Sequence, residues 1–214
     1  MRVFSSWSGG KESALATYKA ICQGHEVLYL LNFISEDGER SRSHGTKAGV
    51  LALQAEAIGI PLVQVKTSWG DYEQNFKKAV RQLKDKGIEG GVFGDIDLEE
   101  HREWVEKVCG EVDIKAFLPL WGAKPEKLID ELLELKFKAI VVATRLDGTL
   151  LGKILDKALV KQMCSLGSDP CGESGEYHTF VSRGPIFRKA LKVAAGRSTK
   201  IDDMWFQDIT AELQ

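Results

Sequence analysis

The chain has 214 residues, of which 43% are apolar and 28% are charged, and its formal net charge at pH 7 is −2. This length and composition allow one large globular domain, or a main domain with a smaller second one. The near-neutral charge excludes a general attraction for nucleic-acid backbones or anionic membranes, so neither is expected as a direct partner. The N-terminus resembles no signal peptide and the longest apolar runs are too short to span a bilayer, which predicts a cytoplasmic protein.

The four cysteines, Cys22, Cys109, Cys164 and Cys171, are widely spaced and form no CxxC pair. This spacing disfavours a zinc ribbon and a thioredoxin-like redox pair. It predicts instead a reduced protein in which most of the thiols are buried.

The predicted elements of the first part alternate between short apolar strands and amphipathic helices. Strands are predicted over 2–7, 26–33, 61–66 and 91–94, and helices over 11–22, 46–58, 71–86 and from Asp97 onward. Gly59 is expected to end the second helix in the left-handed conformation, and Glu100 is expected to form a capping box with Asp97. The alternation predicts a doubly wound α/β domain with a parallel sheet, in which ligands bind beyond the carboxyl ends of the strands.

The alternation loosens from about residue 123. Pro125 is expected to begin a helix that carries Leu128, Leu132 and Leu135. A strand over 138–143, a helix over 154–163 and a Gly-rich turn over 167–175 are predicted to follow. The sequence therefore predicts two domains, 1–122 and a smaller C-terminal α+β domain over 123–214.

The loop between the first predicted strand and the first predicted helix reads Ser-Gly-Gly-Lys-Glu-Ser over residues 8–13. Two glycines can direct successive N–H groups at one anion, and the helix N-terminus adds its positive dipole. Lys11 is expected to contribute a mobile charge, while Ser8 and Ser13 offer hydroxyl donors. The loop lacks the Walker A order, because Glu12 follows the lysine, and it lacks GxGxxG. A capped turn with an exposed Lys11 is the simpler alternative.

The loop resembles the pyrophosphate-loop (PP-loop) signature SGGx[DE]S of the ATP pyrophosphatases. These enzymes share a HUP-like α/β domain with the adenine nucleotide α-hydrolases and cleave ATP between its α and β phosphates. Further stretches resemble the diphthine–ammonia ligase family: Gly-Gly-Val-Phe-Gly-Asp-Ile over 90–96, His101-Arg102, Pro-Leu-Trp-Gly over 119–122 and Pro-Cys-Gly-Glu-Ser-Gly-Glu-Tyr-His-Thr-Phe over 170–180. The resemblance extends from Val3 to about Phe187.

The resemblance implies a cytoplasmic ATP-dependent ligase that forms AMP and pyrophosphate. The family's named reaction joins ammonia to the carboxylate of diphthine, a modified histidine on a translation elongation factor. A carboxylate is a poor electrophile, so an acyl-adenylate is expected to form first, and a loop that holds departing pyrophosphate favours that step. ATP and Mg²⁺ are the expected cofactors, Asp95 is a candidate ligand for a phosphate-bridged Mg²⁺, and a homodimer is left open.

The candidate site residues fall into three groups. The expected catalytic residues are Lys11, Asp95, Glu173, Glu176 and His178. The residues expected to bind ATP are Ser6, Ser8, Gly9, Gly10, Lys11, Glu12, Ser13, His44, Gly94 and Thr144. The residues expected to bind the acceptor or ammonia are Cys171, Gly172, Glu173, Gly175, Glu176, Tyr177, His178 and Thr179.

Several of these residues also have simpler interpretations. Asp95 is nearly as well explained as a helix-capping or turn residue, and His44 as an exposed loop histidine. Cys171 fits a packing residue better than a nucleophile, because no depressed thiol pKa follows from the sequence. His25 and His101 are interpreted as structural.

The motif over 173–179 departs from the diphthine branch of the family. That branch reads Glu-Gly-Gly-Glu-Tyr-Glu-Thr, whereas this chain has His178 in place of the last of the three carboxylates. A branch with the His-Thr form has been linked to cobalamin metabolism, so a cobalamin-related carboxylate is the alternative acceptor.

Two other classes of function use the same type of domain. A non-catalytic adenine-nucleotide sensor would have no evident use for the carboxylate-rich segment 172–179. A tRNA-modifying enzyme would be expected to carry a CxxC pair or a basic RNA-binding face, and the sequence suggests neither.

Overall fold

The structure is a computed structural model that describes all 214 residues. Its first part is a five-stranded parallel sheet in the order β3-β2-β1-β4-β5. The strands are β1 (Arg2–Ser6), β2 (Glu26–Ile34), β3 (Leu62–Lys66), β4 (Gly90–Val92) and β5 (Lys115–Phe117), and the intervening helices are α1 (Lys11–Cys22), α2 (Ala48–Ile58), α3 (Tyr72–Asp85) and α4 (Glu99–Glu111). Val3 and Phe4 point to opposite faces of β1 and are both fully buried, because helices cover both faces of the sheet.

The second part is a four-stranded antiparallel sheet in the order β7-β6-β9-β8. Its elements are α5 (Pro125–Glu134), β6 (Lys138–Thr144), a 3₁₀ turn (Gly148–Leu150), α6 (Lys157–Ser165), β7 (Tyr177–Arg183), β8 (Leu191–Ile201) and β9 (Met204–Leu213). No helix of the chain is long and apolar enough to cross a bilayer. The predicted α/β class, with a parallel sheet and a smaller α+β part, is confirmed.

Three predicted helix starts were two or three residues too early. The helices α2, α4 and α6 begin at Ala48, Glu99 and Lys157. The expected capping box is absent, because Leu98 occupies the N-cap of α4 and no side chain caps that helix. Ile154 pairs with β6 in an isolated bridge, which delays α6 until the Asp156 carboxylate accepts a hydrogen bond from the Leu159 N–H.

The two parts of the chain are joined at the loop of residues 8–13, which we call the phosphate loop. The Val181 N–H of β7 donates to the Gly9 carbonyl oxygen at 2.9 Å, and the Lys11 N–H donates to Thr179 Oγ1 at 3.1 Å. One cluster of 26 buried residues runs from Val3 to Val181. Because the two parts share this core, their division at residues 122 and 123 stays a prediction.

Candidate active site

The main cleft lies where the strand order of the parallel sheet reverses. The chain runs from β1 to β2 and β3 on one side and then crosses to β4 and β5 on the other, so loops after β1 and β4 diverge at their carboxyl ends. The cleft has a volume of about 530 Å³, within the range of small-ligand sites. Both the phosphate loop and the segment before β7 line it.

The structure brings most of the predicted site residues to this cleft. Those that line it are Ser6, Ser8, Lys11, Glu12, Ser13, His44, Gly94, Asp95, Cys171, Gly172, Glu173, Tyr177 and His178. Gly9 and Gly10 are buried within the loop itself, and Thr179 is buried directly behind it. The lining residues that were not predicted as site residues are Trp7, Leu31, Phe33, Arg42, Ser43, Trp69, Tyr72, Phe76, Phe93, His101, Trp104 and Val105.

The loop leaves backbone donors available for an anion. The helix α1 begins at Lys11, and no protein atom accepts from the N–H groups of Glu12 and Ser13. Ser8 Oγ accepts from the Gly10 N–H at 3.3 Å and donates to Ser13 Oγ at 3.2 Å, so the two hydroxyls border the same turn. Free N–H groups at a helix N-terminus are an anion-binding arrangement.

The two glycines of the loop allow close approach of neighbouring segments. Gly9 has a φ of +82°, which disfavours a side chain, and a Cβ there would lie 2.8 Å from Gln54 Oε1. A Cβ at Gly10 would lie 2.4 Å from His44 Cε1. Gln54 Nε2 fixes the loop by donating to the carbonyl oxygens of Gly9 and Val181 at 2.9 and 2.6 Å.

The Lys11 side chain, which was expected to contribute a mobile charge, is buried and held by neighbouring groups in this structure. Its Nζ donates to the Cys171 carbonyl oxygen at 2.6 Å, lies 2.5 Å from Glu12 Oε1 and sits 4.2 Å from the centre of the Tyr177 ring. Burial opposes the charge, but the neighbouring Glu12, Tyr177 and Cys171 outweigh burial and raise the pKa of Lys11. Sequence reasoning missed these contacts because Cys171 is 160 residues away along the chain.

Glu173 is the carboxylate of the C-terminal motif that reaches the cleft. Its Oε1 accepts a hydrogen bond from the Ile96 N–H at 3.3 Å, just beyond β4. Burial, followed by the negative charge of Glu12, raises the pKa of Glu173 to about 7. A carboxylate with this pKa can accept a proton near neutral pH.

Two stacked histidines lie beside the phosphate loop. The rings of His44 and His178 are 4.5 Å apart and nearly parallel, and His44 Nδ1 lies 3.2 Å from the Thr179 carbonyl oxygen. Because a carbonyl only accepts, His44 Nδ1 carries a proton and its Nε2 is an acceptor. Burial lowers the pKa of His178 to about 4 and lowers that of His44 well below its usual range, so both rings are neutral at pH 7.

Asp95 and His101 form a pair at the edge of the cleft. His101 Nδ1 lies 3.2 Å from Asp95 Oδ1, and His101 is exposed. The interpretation of His101 as purely structural missed this position in the cleft. The signal was available, since His101 lies in the first turn of α4, the helix that follows β4.

Aromatic side chains form one wall of the cleft. We call Phe33, Tyr72, Phe76 and Trp104 the aromatic wall; ring centres are 4.8 Å apart for Phe33 and Tyr72 and 5.2 Å apart for Phe76 and Trp104. Trp69 continues the wall at its rim, 5.9 Å from Tyr72, and is 67% exposed. The sequence predicted a helix over 71–86, which carries Tyr72 and Phe76, but no ligand site for these two side chains.

Glu176 and Thr144 do not line the cleft, contrary to expectation. Glu176 Oε1 accepts from the Asp169 N–H at 3.1 Å, so its side chain turns towards the preceding loop. Thr144 is fully buried and its Oγ1 donates to the Glu176 carbonyl oxygen at 3.1 Å. Gly175 also lies outside the cleft lining. The antiparallel pairing of β6 with β7 explains this arrangement. Thr144 ends β6 and Glu176 directly precedes β7, so the contact between them joins the two strand ends.

The raised pKa of Glu173 predicts a measurable effect on stability. Between the pKa of an unfolded glutamate and about 7, the folded protein binds more protons at Glu173 than the unfolded chain, so its contribution to stability falls as the pH rises. We expect Glu173→Gln to raise the free energy of unfolding by about 1–2 kcal/mol at pH 8, less than the full shift implies because the carboxylate is only partly buried. Denaturant unfolding at pH 5 and pH 8 measures this, and an equal change at both values would contradict it.

The doubly wound parallel sheet carries a Ser-Gly-Gly-Lys-Glu-Ser loop at its switch point, and a cleft lies beside this loop. Together these features define a nucleotide-binding protein of the PP-loop class. The family model described as the diphthamide synthase N-terminal domain matches residues 1–116, and the model of the diphthamide synthase C-terminal domain matches residues 124–212. The chain belongs to the diphthamide synthase family.

Relatives named diphthine–ammonia ligase are similar to nearly the whole chain. Those of Mus musculus and Homo sapiens are each 30% identical over 221 residues, which cover 90% of this chain and 83% of each relative. The chain is thus an enzyme of the ligase class, similar to the diphthine–ammonia ligases. A solved structure described as a predicted subunit of tRNA methyltransferase from Methanocaldococcus jannaschii is 16% identical, covers 86% of this chain and 98% of its own, and has a TM-score of 0.47, which supports no functional inference.

Proposed function

We propose that the chain uses ATP to convert a carboxylate into an acyl-adenylate with release of pyrophosphate, and that ammonia then displaces AMP to give an amide. The observation that carries this proposal is the meeting of the phosphate loop and Glu173 in one cleft, which combines an anion site with a proton acceptor. The free N–H groups of Glu12 and Ser13 would hold the departing pyrophosphate. Lys11 would add its charge once it leaves its present partners.

The aromatic wall is suited to the adenine base. It lies at the carboxyl ends of β2, β3 and β4, within reach of a nucleotide whose phosphates occupy the loop between β1 and α1. A purine stacked on aromatic rings gains about 1–3 kcal/mol per contact. We therefore place the base between the phosphate loop and Trp69, at the rim of the wall.

Removal of Trp69 is expected to weaken ATP binding without affecting chemistry at saturating ATP. The loss of one stacking contact predicts an increase of about tenfold in the Kd for ATP in Trp69→Ala. Quenching of tryptophan fluorescence during an ATP titration measures the wild-type Kd, and calorimetry extends it to the variant. Trp205→Ala, on β9 and away from the cleft lining, is the matched control. An unchanged ATP Kd in Trp69→Ala would argue against this placement of the base.

Asp95 fits a Mg²⁺ ion bridged to ATP phosphates. Such ions need only one or two carboxylates, because water and phosphate oxygens supply the other ligands. The carboxylate lies after β4 and lines the cleft together with the loop. No group of three or more His, Cys, Asp or Glu side chains is arranged to hold a metal ion alone, so the phosphates would complete the site. The ion would stabilise negative charge on the phosphates.

We assign the role of proton acceptor to Glu173. An attacking amine must lose protons as the amide forms, and a carboxylate with a pKa of about 7 accepts them near neutral pH. His178 is neutral, half-buried and lines the cleft beside the loop, so it would offer the acceptor a hydrogen bond rather than a positive charge. The catalytic role foreseen for Glu176 becomes that of a positioning residue, which fixes the turn that carries Glu173.

The expected acceptor is diphthine on a translation elongation factor, with free ammonia as the nitrogen source. The names of the relatives support this choice. The neutral His178 keeps a second candidate open, since a side chain without charge would suit a different carboxylate, such as a cobalamin-related one. The cytoplasm as location and a homodimer stay predictions.

Transfer of oxygen-18 tests the acyl-adenylate directly. When a labelled carboxylate attacks the α phosphorus of ATP, one of its oxygens leaves with AMP as the amide forms. We expect one labelled oxygen in AMP for each amide produced, measured by mass spectrometry. Label in inorganic phosphate, or amide formation with unlabelled AMP, would rule out this route.

A further inference from the structure

A second and much smaller cavity lies behind the phosphate loop. Its volume is about 10 Å³, at the lower limit for one water-sized molecule. Apolar side chains form most of its surface; they are Leu15, Ile96, Leu120, Leu128, Ile129 and Leu132. Lys11, Glu12 and Cys171 line both this cavity and the main cleft. These three residues are therefore the wall between the two spaces.

The polar groups of that wall are unusual because one of them is incompletely satisfied. Glu12 Oε1 is buried and accepts no well-aligned hydrogen bond, although Lys11 Nζ lies 2.5 Å from it. Burial raises the pKa of the Cys171 thiol, so this group is neutral, and its Sγ lies 3.5 Å from the Pro125 carbonyl oxygen. The wall thus contains one acceptor, Glu12 Oε1, that can take a further hydrogen bond, and Lys11 Nζ is its only charged donor.

We propose that this cavity holds the one molecule of ammonia that reacts with the activated carboxylate, and that the ion pair of Lys11 and Glu12 closes it until ATP binds. The inference rests on the proposed function and adds to it the site that binds ammonia before the reaction. Ammonia has the size of water but is easier to dehydrate, so a largely apolar cavity selects it. A Glu12 acceptor binds its N–H groups and leaves the lone pair free.

The contacts of Lys11 supply the gate. A phosphate bound at the N-terminus of α1 would attract Lys11 Nζ away from Glu12 and from the Cys171 carbonyl oxygen. Departure of the lysine would open the wall and leave the Glu12 carboxylate without its counter-ion. An ammonium ion would then enter to replace the lost positive charge and, after giving one proton to Glu12, would remain in the cavity as ammonia. Occupancy of the cavity is therefore coupled to ATP.

The chemical steps balance without a further reactant. Ammonium transfers one proton to the Glu12 carboxylate and becomes ammonia. Its lone pair then forms the C–N bond with the acyl carbon, while the bond from that carbon to the AMP oxygen breaks and its electron pair leaves with AMP. The second proton lost from nitrogen passes to Glu173, so the products are the amide, AMP and two protons.

Thermal melting in ammonium chloride tests the cavity without an acceptor. The protein is saturated with an ATP analogue that cannot be cleaved between the α and β phosphates, and ammonium chloride is compared with tetramethylammonium chloride at equal ionic strength. We expect ammonium to raise the Tm of the wild type by about 3 °C. Leu128→Phe fills the cavity and should abolish this rise. Leu159→Phe, a buried control that does not line the cavity, should keep it.

A variant with an enlarged cavity provides a second test, which can be carried out even where Leu128→Phe does not fold. Leu128→Ala should keep the response to ammonium and gain an equal response to methylammonium, which the wild type lacks. The proposal is overturned if ammonium does not raise the wild-type Tm, if Leu128→Phe responds like the wild type, or if Leu128→Ala shows no response to methylammonium. Since no step of this test requires turnover, a failure to form AMP would count against the proposed function and leave the cavity assignment standing.

Discussion

Gly10→Val is expected to lower the affinity for ATP by at least about 100-fold while the protein stays folded. A Cβ at this position would lie 2.4 Å from His44 Cε1 and 3.1 Å from the Thr179 carbonyl oxygen, so a valine must displace the histidine or push into the anion site. The backbone of Gly10 has a φ of −88°, which a valine can adopt, so the effect comes from space rather than strain. Calorimetric titration with ATP measures the loss.

Gly49→Val is the matched control for this experiment. Gly49 lies in the first turn of α2 and a Cβ there meets nothing within 4 Å. The control should bind ATP like the wild type and melt at a similar temperature. An ATP affinity of Gly10→Val equal to that of the wild type would remove the phosphate loop from the nucleotide site.

Glu173→Gln is expected to reduce the rate of amide formation by about 100-fold and to leave the Kd for ATP unchanged. The glutamine oxygen can still accept from the Ile96 N–H, so the loop geometry is kept while the proton acceptor is lost. Single-turnover formation of the amide at saturating ammonium measures the effect. Glu103→Gln, which removes the same charge from the exposed surface of α4, should retain wild-type activity.

The pH dependence separates loss of the base from loss of structure. Glu173 accepts protons only as a carboxylate, so the wild-type rate should rise with pH up to about 7 and level off above it. His178, with a pKa of about 4, stays neutral in this range and adds no further step. In Glu173→Gln the rise should disappear. A variant that is slower but keeps the same pH profile would contradict the assignment of Glu173 as the base.

The sequence located the phosphate loop because its chemistry is local. Six consecutive residues between an apolar run and an amphipathic helix predict the anion site, and the structure places these residues at the switch point of the sheet. The same holds for Gly59, whose φ of +80° ends α2 as expected. Features that depend on a few neighbouring residues could be predicted.

Features that depend on contacts between residues far apart in the sequence could not be predicted. The burial of Lys11 requires Cys171 and Tyr177, which tertiary folding alone brings to the loop. The strands β5, β7, β8 and β9 were not predicted; β8, for example, is an exposed edge strand with little apolar alternation. The aromatic wall likewise combines Phe33, near the end of β2, with Trp104 on the later helix α4, and no sequence spacing relates them.

The measurement that tests the central claim most directly is the release of AMP from ATP and Mg²⁺ in the presence of ammonium, with and without elongation factor that carries diphthine. We predict that AMP appears only with the factor and in equal amount to the diphthamide formed. Amide formation accompanied by ADP, or without nucleotide cleavage, would contradict the mechanism. If ATP binds but the factor elicits no AMP, diphthine is not the acceptor.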